Sequence, residues 1–198
     1  MIAFDTTYLA LLLGHPDPKP PTDPEGNSID DLQERMDLLV ERFENTGEII
    51  LIPQPAYSEF LVRAYKDGPK YTRIITKSAL YKFGDFELKA AIELAEMRRK
   101  ELKEMSKSAI RRETPAETKA KVSFDRQIIA IAKANRAHTI YSNDKGVRNC
   151  AERHKLKAVP MWQLPRPVAK EQMTIDDLIA EAEKARATDE GGPSESGS

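Results

Sequence analysis

Short unbroken apolar runs alternate along the chain with longer stretches whose apolar positions recur every three or four residues. The runs MIAF (Met1 to Phe4), EIILIP (Glu48 to Pro53), HTIYS (His138 to Ser142) and LKAVPMW (Leu156 to Trp162) are short and β-favouring, which predicts strands buried in a sheet. Between them, TTYLALLLG reads as a helix with Gly14 as its stop. Ser28 to Asp31 supply N-cap candidates for a helix through about Asn45, with Leu32, Met36, Leu39, Val40 and Phe43 at helical spacing. QPAYSEFLVRAYK follows as a helix with Pro55 near its first turn. A long helix is predicted from Glu87 to about Lys107, with Ala90, Ala91, Leu94, Ala95 and Met97 on its apolar face. FDRQIIAIAKANRA and DKGVRNCAERHK complete the helices. YTRIITKSALYKFGDF reads as a strand and then a turn, and SAIRRETPAETKAKVS as a polar connector interrupted by Pro115.

This alternation predicts an α/β fold, a three-layer α/β/α sandwich on a mainly parallel central sheet. The predicted domain covers residues 1–165 and carries a proline-rich surface excursion, HPDPKPPTDPEGN, at about 15–28. Residues 166–198 form a C-terminal extension, with an amphipathic helix at about 174–187 and a tail, TDEGGPSESGS, that is disordered by composition. No internal repeat is present.

Composition narrows the function classes. The 198 residues carry a formal net charge of -1, with 31 basic and 32 acidic side chains, so the chain lacks the bulk signature of a strongly basic nucleic-acid binder. A local basic track is still present: Arg98, Arg99, Lys100, Lys103, Lys107, Arg111, Arg112, Lys119 and Lys121 outnumber the acids among them. It suits an RNA backbone or an ordinary solvated helix end equally well. One cysteine, Cys150, excludes an internal disulfide and a cysteine-rich zinc site and fits a reducing compartment. Cys150 reads as a small core residue. His15, His138 and His154 lie apart with no ligand spacing between them and read as solvated or structural. No apolar run reaches the ~20 residues a membrane span requires, and the apolar start, carrying Asp5 and no basic leader, does not read as a signal peptide. A soluble cytoplasmic protein is expected.

The acids are the chemistry-bearing feature. In a parallel sheet, sites form at the carboxyl ends of the strands. Asp5 follows the first predicted strand and Asp144 lies just past HTIYS. Glu59 lies in the helix after EIILIP, and Asp125 at the start of FDRQIIAIAKANRA. Elements meeting at one edge of the sheet would gather all four. Clustered carboxylates repel unless a cation is shared, and an oxygen-only ligand set suits Mg²⁺ or Mn²⁺. Taken singly, Asp125 and Asp144 also suit the N-terminal turn of a helix, where aspartate caps free N–H groups.

The pieces FDTTYL, PAYSEFL, FDRQIIAIAKANRA and IYSNDKG, in this order and with the FELKAAIELAEMRRK helix before the third, resemble the PIN-domain nucleases over roughly Met1 to Pro165. The resemblance implies a metal-dependent endoribonuclease, similar to the ribonuclease toxins of bacterial toxin–antitoxin systems. Asp5, Glu59, Asp125 and Asp144 would hold Mg²⁺ or Mn²⁺ or position the attacking water. Ser142 stands where the family has a small hydroxyl residue, and Thr7 where it often has Asn or Ser. Gly146 stands where many members carry a further acid, so one ion is expected to be held well and a second only with substrate. Lys145 and Arg148 are the residues best placed to meet a phosphate, and Arg98, Arg99, Arg111 and Arg112 would help hold the strand. RNA, an antitoxin or other regulatory protein, and a second copy of the chain are the partners the family allows; a membrane is not. Two other classes stay open: a catalytically inactive PIN-like module for RNA binding or assembly, and a phosphotransferase or phosphohydrolase with Asp5 as nucleophile.

Overall fold

The computed structural model describes residues 1–15, 20–107 and 116–167. Within a compact unit, Met1–Arg166, the chain runs β1 (Ile2–Phe4), α1 (Thr6–Leu12), α2 (Leu32–Thr46), β2 (Ile50–Pro53), α3 (Gln54–Ala64), α4 (Gly68–Lys77), β3 (Tyr81–Gly84), α5 (Leu88–Lys107), α6 (Ala116–Ala134), β4 (Thr139–Tyr141), α7 (Lys145–Arg153) and β5 (Lys157–Val159). The five strands form one sheet in the order β3-β2-β1-β4-β5, and every pair is parallel. The predicted α/β sandwich is therefore the observed class.

Strand alternation divides the core. Ile2, Phe4, Ile50 and Ile52 face one side of the sheet and pack with Tyr8, Leu9, Met36, Leu39, Phe43, Phe60 and Ile75. Ala3, Leu51 and Ile140 face the other and pack with Ala90, Met97, Ile128 to Ala132, Val147 and Cys150. Because both faces are covered, the central strands are apolar at successive positions rather than at alternate ones. Phe4, Tyr8, Phe43 and Tyr141 form an aromatic group with centroids 5.4–6.4 Å apart. These contacts seat α1 and α2 over β1 and β4.

Two segments depart from the sequence reading. YTRIITK is the greater part of α4 and not a strand, since Tyr71 and Ile75, one turn apart, are both buried. Only the following YKFG forms β3. The connector after Pro115 is helical from Ala116, so α6 begins well before FDRQIIAIAKANRA, and Asp125 lies inside the helix instead of at its start. In the proline-rich excursion, the Asp23 carboxylate accepts from the Asn27 backbone N–H at 2.8 Å, and Thr22 bridges to Ser28. The rest of that excursion at 16–19, Arg111 and Arg112, and the predicted helix at 174–187 with its tail lie outside the described residues.

Candidate active site

The chain passes outward from β1 to β2 and β3, then returns to the other side of β1 for β4 and β5. The order reverses between β1 and β4. In parallel α/β sheets, that reversal opens a crevice at the carboxyl ends of the strands. Phe4 pairs with Tyr141 in the β1–β4 register, so the residues that leave the two strands, Asp5 and Ser142, emerge side by side.

Asp5 is 2% exposed and is the N-cap of α1. Its Oδ1 accepts from the backbone N–H groups of Thr7 and Tyr8 at 2.9 and 3.0 Å and from the Thr7 hydroxyl at 2.7 Å. Its Oδ2 accepts from the Ser142 hydroxyl in a short bond. The Thr7 hydroxyl also accepts from the Asn143 N–H at 3.2 Å, tying α1 to the loop after β4. Asp144 is at once a helix N-cap and a site residue: its Oδ1 accepts from Gly146 and Val147 N–H at 2.6 and 3.1 Å. The residue that caps α7 is thus also one that lines the cleft. Glu59 reaches in from α3, accepting from the Thr6 hydroxyl at 2.7 Å and from Arg63 at 2.9 Å.

All four acids line one cleft of about 550 Å³, together with Thr6, Thr7, Lys121, Phe124, Ile128 and Val147. From α6, Lys121, Phe124, Asp125 and Ile128 present one face at helical spacing. The Lys121 ammonium donates to Asp144 Oδ2 at 2.7 Å. Lys121 holds its proton more tightly than an ordinary lysine, first through this bond and then, against some burial, through the charges of Asp144, Asp125 and Glu59.

Asp125 stands apart: it is 9% exposed and, among the described residues, no hydrogen bond reaches its carboxylate. Burial first, then the charges of Asp144, Glu59 and Asp5 against the relief of Lys121, push its pKa to about 6. Asp5 is also pushed to about 6, by burial that outweighs its hydrogen bonds to Ser142, Tyr8 and Thr7. For Asp144 burial pulls upward, but the Lys121 bond and the two N–H groups more than reverse it, and its pKa falls below the usual carboxylate range.

Gly146 fits into this arrangement closely. A Cβ there would stand 2.9 Å from Asp144 Oδ1 and 3.0 Å from Asp125 Oδ2. The place where the sequence reading misses an acid is thus the place where any side chain would crowd two others. The donor chemistry suits a small divalent cation, with an unpartnered buried carboxylate, a second carboxylate beside it and no Cβ at Gly146, although no three of the four acids bring oxygens within 4.8 Å of one another as they stand.

The other candidates fall elsewhere. Lys145 and the α5 residues Arg98 and Arg99 are exposed and do not line the cleft. Arg148 donates to the Ser142 and Asn143 carbonyls at 3.3 and 2.5 Å and lies 4.6 Å from the Trp162 ring centroid, a brace for the loop that carries the site. The sequence reading missed Thr6, whose hydroxyl fixes Glu59, and placed Lys121 only within a general basic track. The i,i+4 spacing of Lys121 and Asp125 was the available signal. A second group also escaped it. Glu101, Cys150 and His154 are, among the described residues, the one group of three or more Asp/Glu/His/Cys side chains whose ligand atoms all lie within 4.8 Å of one another.

No protein-family model and no curated protein matches the chain. Among solved structures it is similar to the crystal structure of VapBC2 from Rickettsia felis bound to a DNA fragment from their promoter. The TM-score is 0.48 and the identity 14%, over 81% of this chain and 98% of that one. Similarity at this level assigns no activity, and function has to rest on the geometry of the cleft. Among the described residues no helix is long and apolar enough to cross a membrane.

Proposed function

We propose that this chain is a divalent-metal-dependent endoribonuclease of PIN type, with Asp5, Glu59, Asp125 and Asp144 as its catalytic set. The observation that carries the reading is the convergence of these four acids from four separate elements into one cleft at the β1–β4 switch point. Asp5, Asp125 and Asp144 would hold Mg²⁺ or Mn²⁺, which when bound supplies charge against a phosphoryl oxygen and eases deprotonation of water. Ser142 and Thr7 keep Asp5 ionised and fixed. Glu59, half exposed at the rim and held by Thr6, orients water toward the phosphorus. Lys121 turns from Asp144 to the phosphate when substrate enters, and Lys145 with the α5 arginines tracks the strand. An antitoxin or other regulatory protein, and a homodimer, are the partners this reading expects.

One observation favours a non-cleaving RNA-binding or assembly module instead: no three of the four acids bring oxygens within 4.8 Å of one another, and Lys121 already neutralises Asp144. Incubating the protein with single-stranded RNA and Mg²⁺ or Mn²⁺ separates the two. Cleavage that chelation stops and that Asp5→Asn and Asp144→Asn abolish supports the nuclease. RNA binding without cleavage in the wild type, unchanged by both variants, supports the module.

A further inference from the structure

On the face of the sheet that carries α5, α6 and α7, Glu101, Cys150 and His154 meet away from the cleft. Cys150 and His154 are one turn apart at the end of α7, and Glu101 comes from α5. The three are 7%, 3% and 8% exposed, and their ligand atoms all lie within 4.8 Å of one another. We propose that Glu101, Cys150 and His154 form a second metal site, selective for Zn²⁺ and distinct from the carboxylate cleft.

The donor set argues for zinc. A thiolate and an imidazole are borderline-soft ligands that Mg²⁺ and Mn²⁺ do not favour, whereas zinc takes sulfur, nitrogen and a carboxylate together. His154 Nε2 lies 3.3 Å from Glu101 Oε1, long for a charge-assisted hydrogen bond. The same separation is roughly the edge of a tetrahedron whose bonds are about 2.0–2.1 Å. The two Glu101 oxygens are already divided in function. Oε2 pairs with Arg126 at 2.6 Å, while Oε1 meets the imidazole alone, in the 3.3 Å contact that a shared ion would replace. Arg126 balances the carboxylate, and zinc would take the Cys150 sulfur as thiolate with release of its S–H proton to solvent. Among the described residues the Cys150 thiol makes no hydrogen bond, and Arg126 Nε is a buried donor with no acceptor, as in a pocket whose polar groups are not fully satisfied by one another. Closing this site would pin α5 to α7. Arg126 adjoins Asp125, so the same contact steadies the turn of α6 that faces the active cleft.

Cobalt(II) titration of the tag-free, metal-stripped protein tests the proposal. The chain has a single cysteine, so a sulfur-to-cobalt charge-transfer band reports on Cys150 alone. The expected result is that band, with tetrahedral visible absorption, saturating at one equivalent and displaced by Zn²⁺ but not by excess Mg²⁺. Both signals should vanish in Cys150→Ser and weaken at least tenfold in affinity in His154→Gln and Glu101→Gln, with circular dichroism checking that each variant is folded. They should persist in Asp5→Asn/Asp144→Asn, which separates this site from the nuclease reading. No charge-transfer band in the wild type overturns the proposal. So does a band of unchanged affinity in both His154→Gln and Glu101→Gln, since the thiol would then be binding metal without the site.

Discussion

Lys121 on α6 and Asp144 at the start of α7 form an ion pair of 2.7 Å inside the cleft, with Asp125 one turn along from the lysine. The lysine is 64% exposed, so the pair itself contributes little to stability, on the order of 0–1 kcal/mol. Its larger effect is on what else can bind: a tethered monovalent cation competes with a divalent one for Asp144. Lys121→Met is expected to tighten Mn²⁺ binding several-fold by calorimetry while slowing RNA cleavage about tenfold or more. Weaker Mn²⁺ binding in this variant would show that the lysine does not compete.

Ser142→Ala removes the hydroxyl that donates to Asp5 Oδ2 in a fully buried setting. Losing a donor to a buried carboxylate costs about 1–3 kcal/mol. Because that bond favours the ionised form, its loss raises the Asp5 pKa further. Half-maximal Mn²⁺ binding should then move to higher pH, measurable by titration at constant ion concentration.

Asp5 and Asp125 make the metal-free protein respond to pH in an unusual sense. Both are raised from 3.8 to about 6, by burial first. An acid whose folded pKa exceeds its unfolded one binds its proton more tightly when folded. Stability is therefore lost as pH rises from about 4 to about 6 and stays lost above. Every tenfold gain in proton affinity on folding corresponds to about 1.4 kcal/mol. Denaturant melts of the stripped protein should show higher stability near pH 4.5 than at pH 7, and saturating Mg²⁺ should restore stability at pH 7.

Asp125→Asn extends the same logic to one residue. Removing an unpartnered buried charge should stabilise the metal-free protein at pH 7 by roughly 1–2 kcal/mol, while weakening Mn²⁺ binding and abolishing cleavage. Equal stability of the two proteins in thermal melts would mean that Asp125 is not strained by its neighbours.

Gly146→Asp places an acid where the resemblance to PIN nucleases implies one. Its Cβ would stand about 3 Å from both Asp144 Oδ1 and Asp125 Oδ2, so the substitution is expected to displace existing ligands instead of adding one. Mn²⁺ stoichiometry should not rise and affinity should fall; a second tightly bound ion would contradict this.

The first and last acids were legible because each follows an apolar run too short to be anything but a buried strand, and a parallel sheet aims such ends at one edge. α4 was not, because Tyr71, Thr72, Ile74, Ile75 and Thr76 are residue types that favour strands. Burial of Tyr71 and Ile75 on one side overrode that preference. The length of α6 was hidden by Pro115 and a polar run, and with it the shared face of Lys121 and Asp125. The Glu101 group was hidden for a different reason. Its carboxylate stands 53 residues before the histidine it meets, and only the packing of α5 against α6 and α7 joins them.

Whether the four acids are a metal site is tested most directly by soaking crystals of the protein in Mn²⁺ and locating the ion by anomalous scattering. The expected result is manganese bound by Asp5, Asp125 and Asp144 beside Gly146, with the Lys121 ammonium moved off Asp144. Manganese absent from the cleft at saturating concentration, with Lys121 still paired to Asp144, would contradict it.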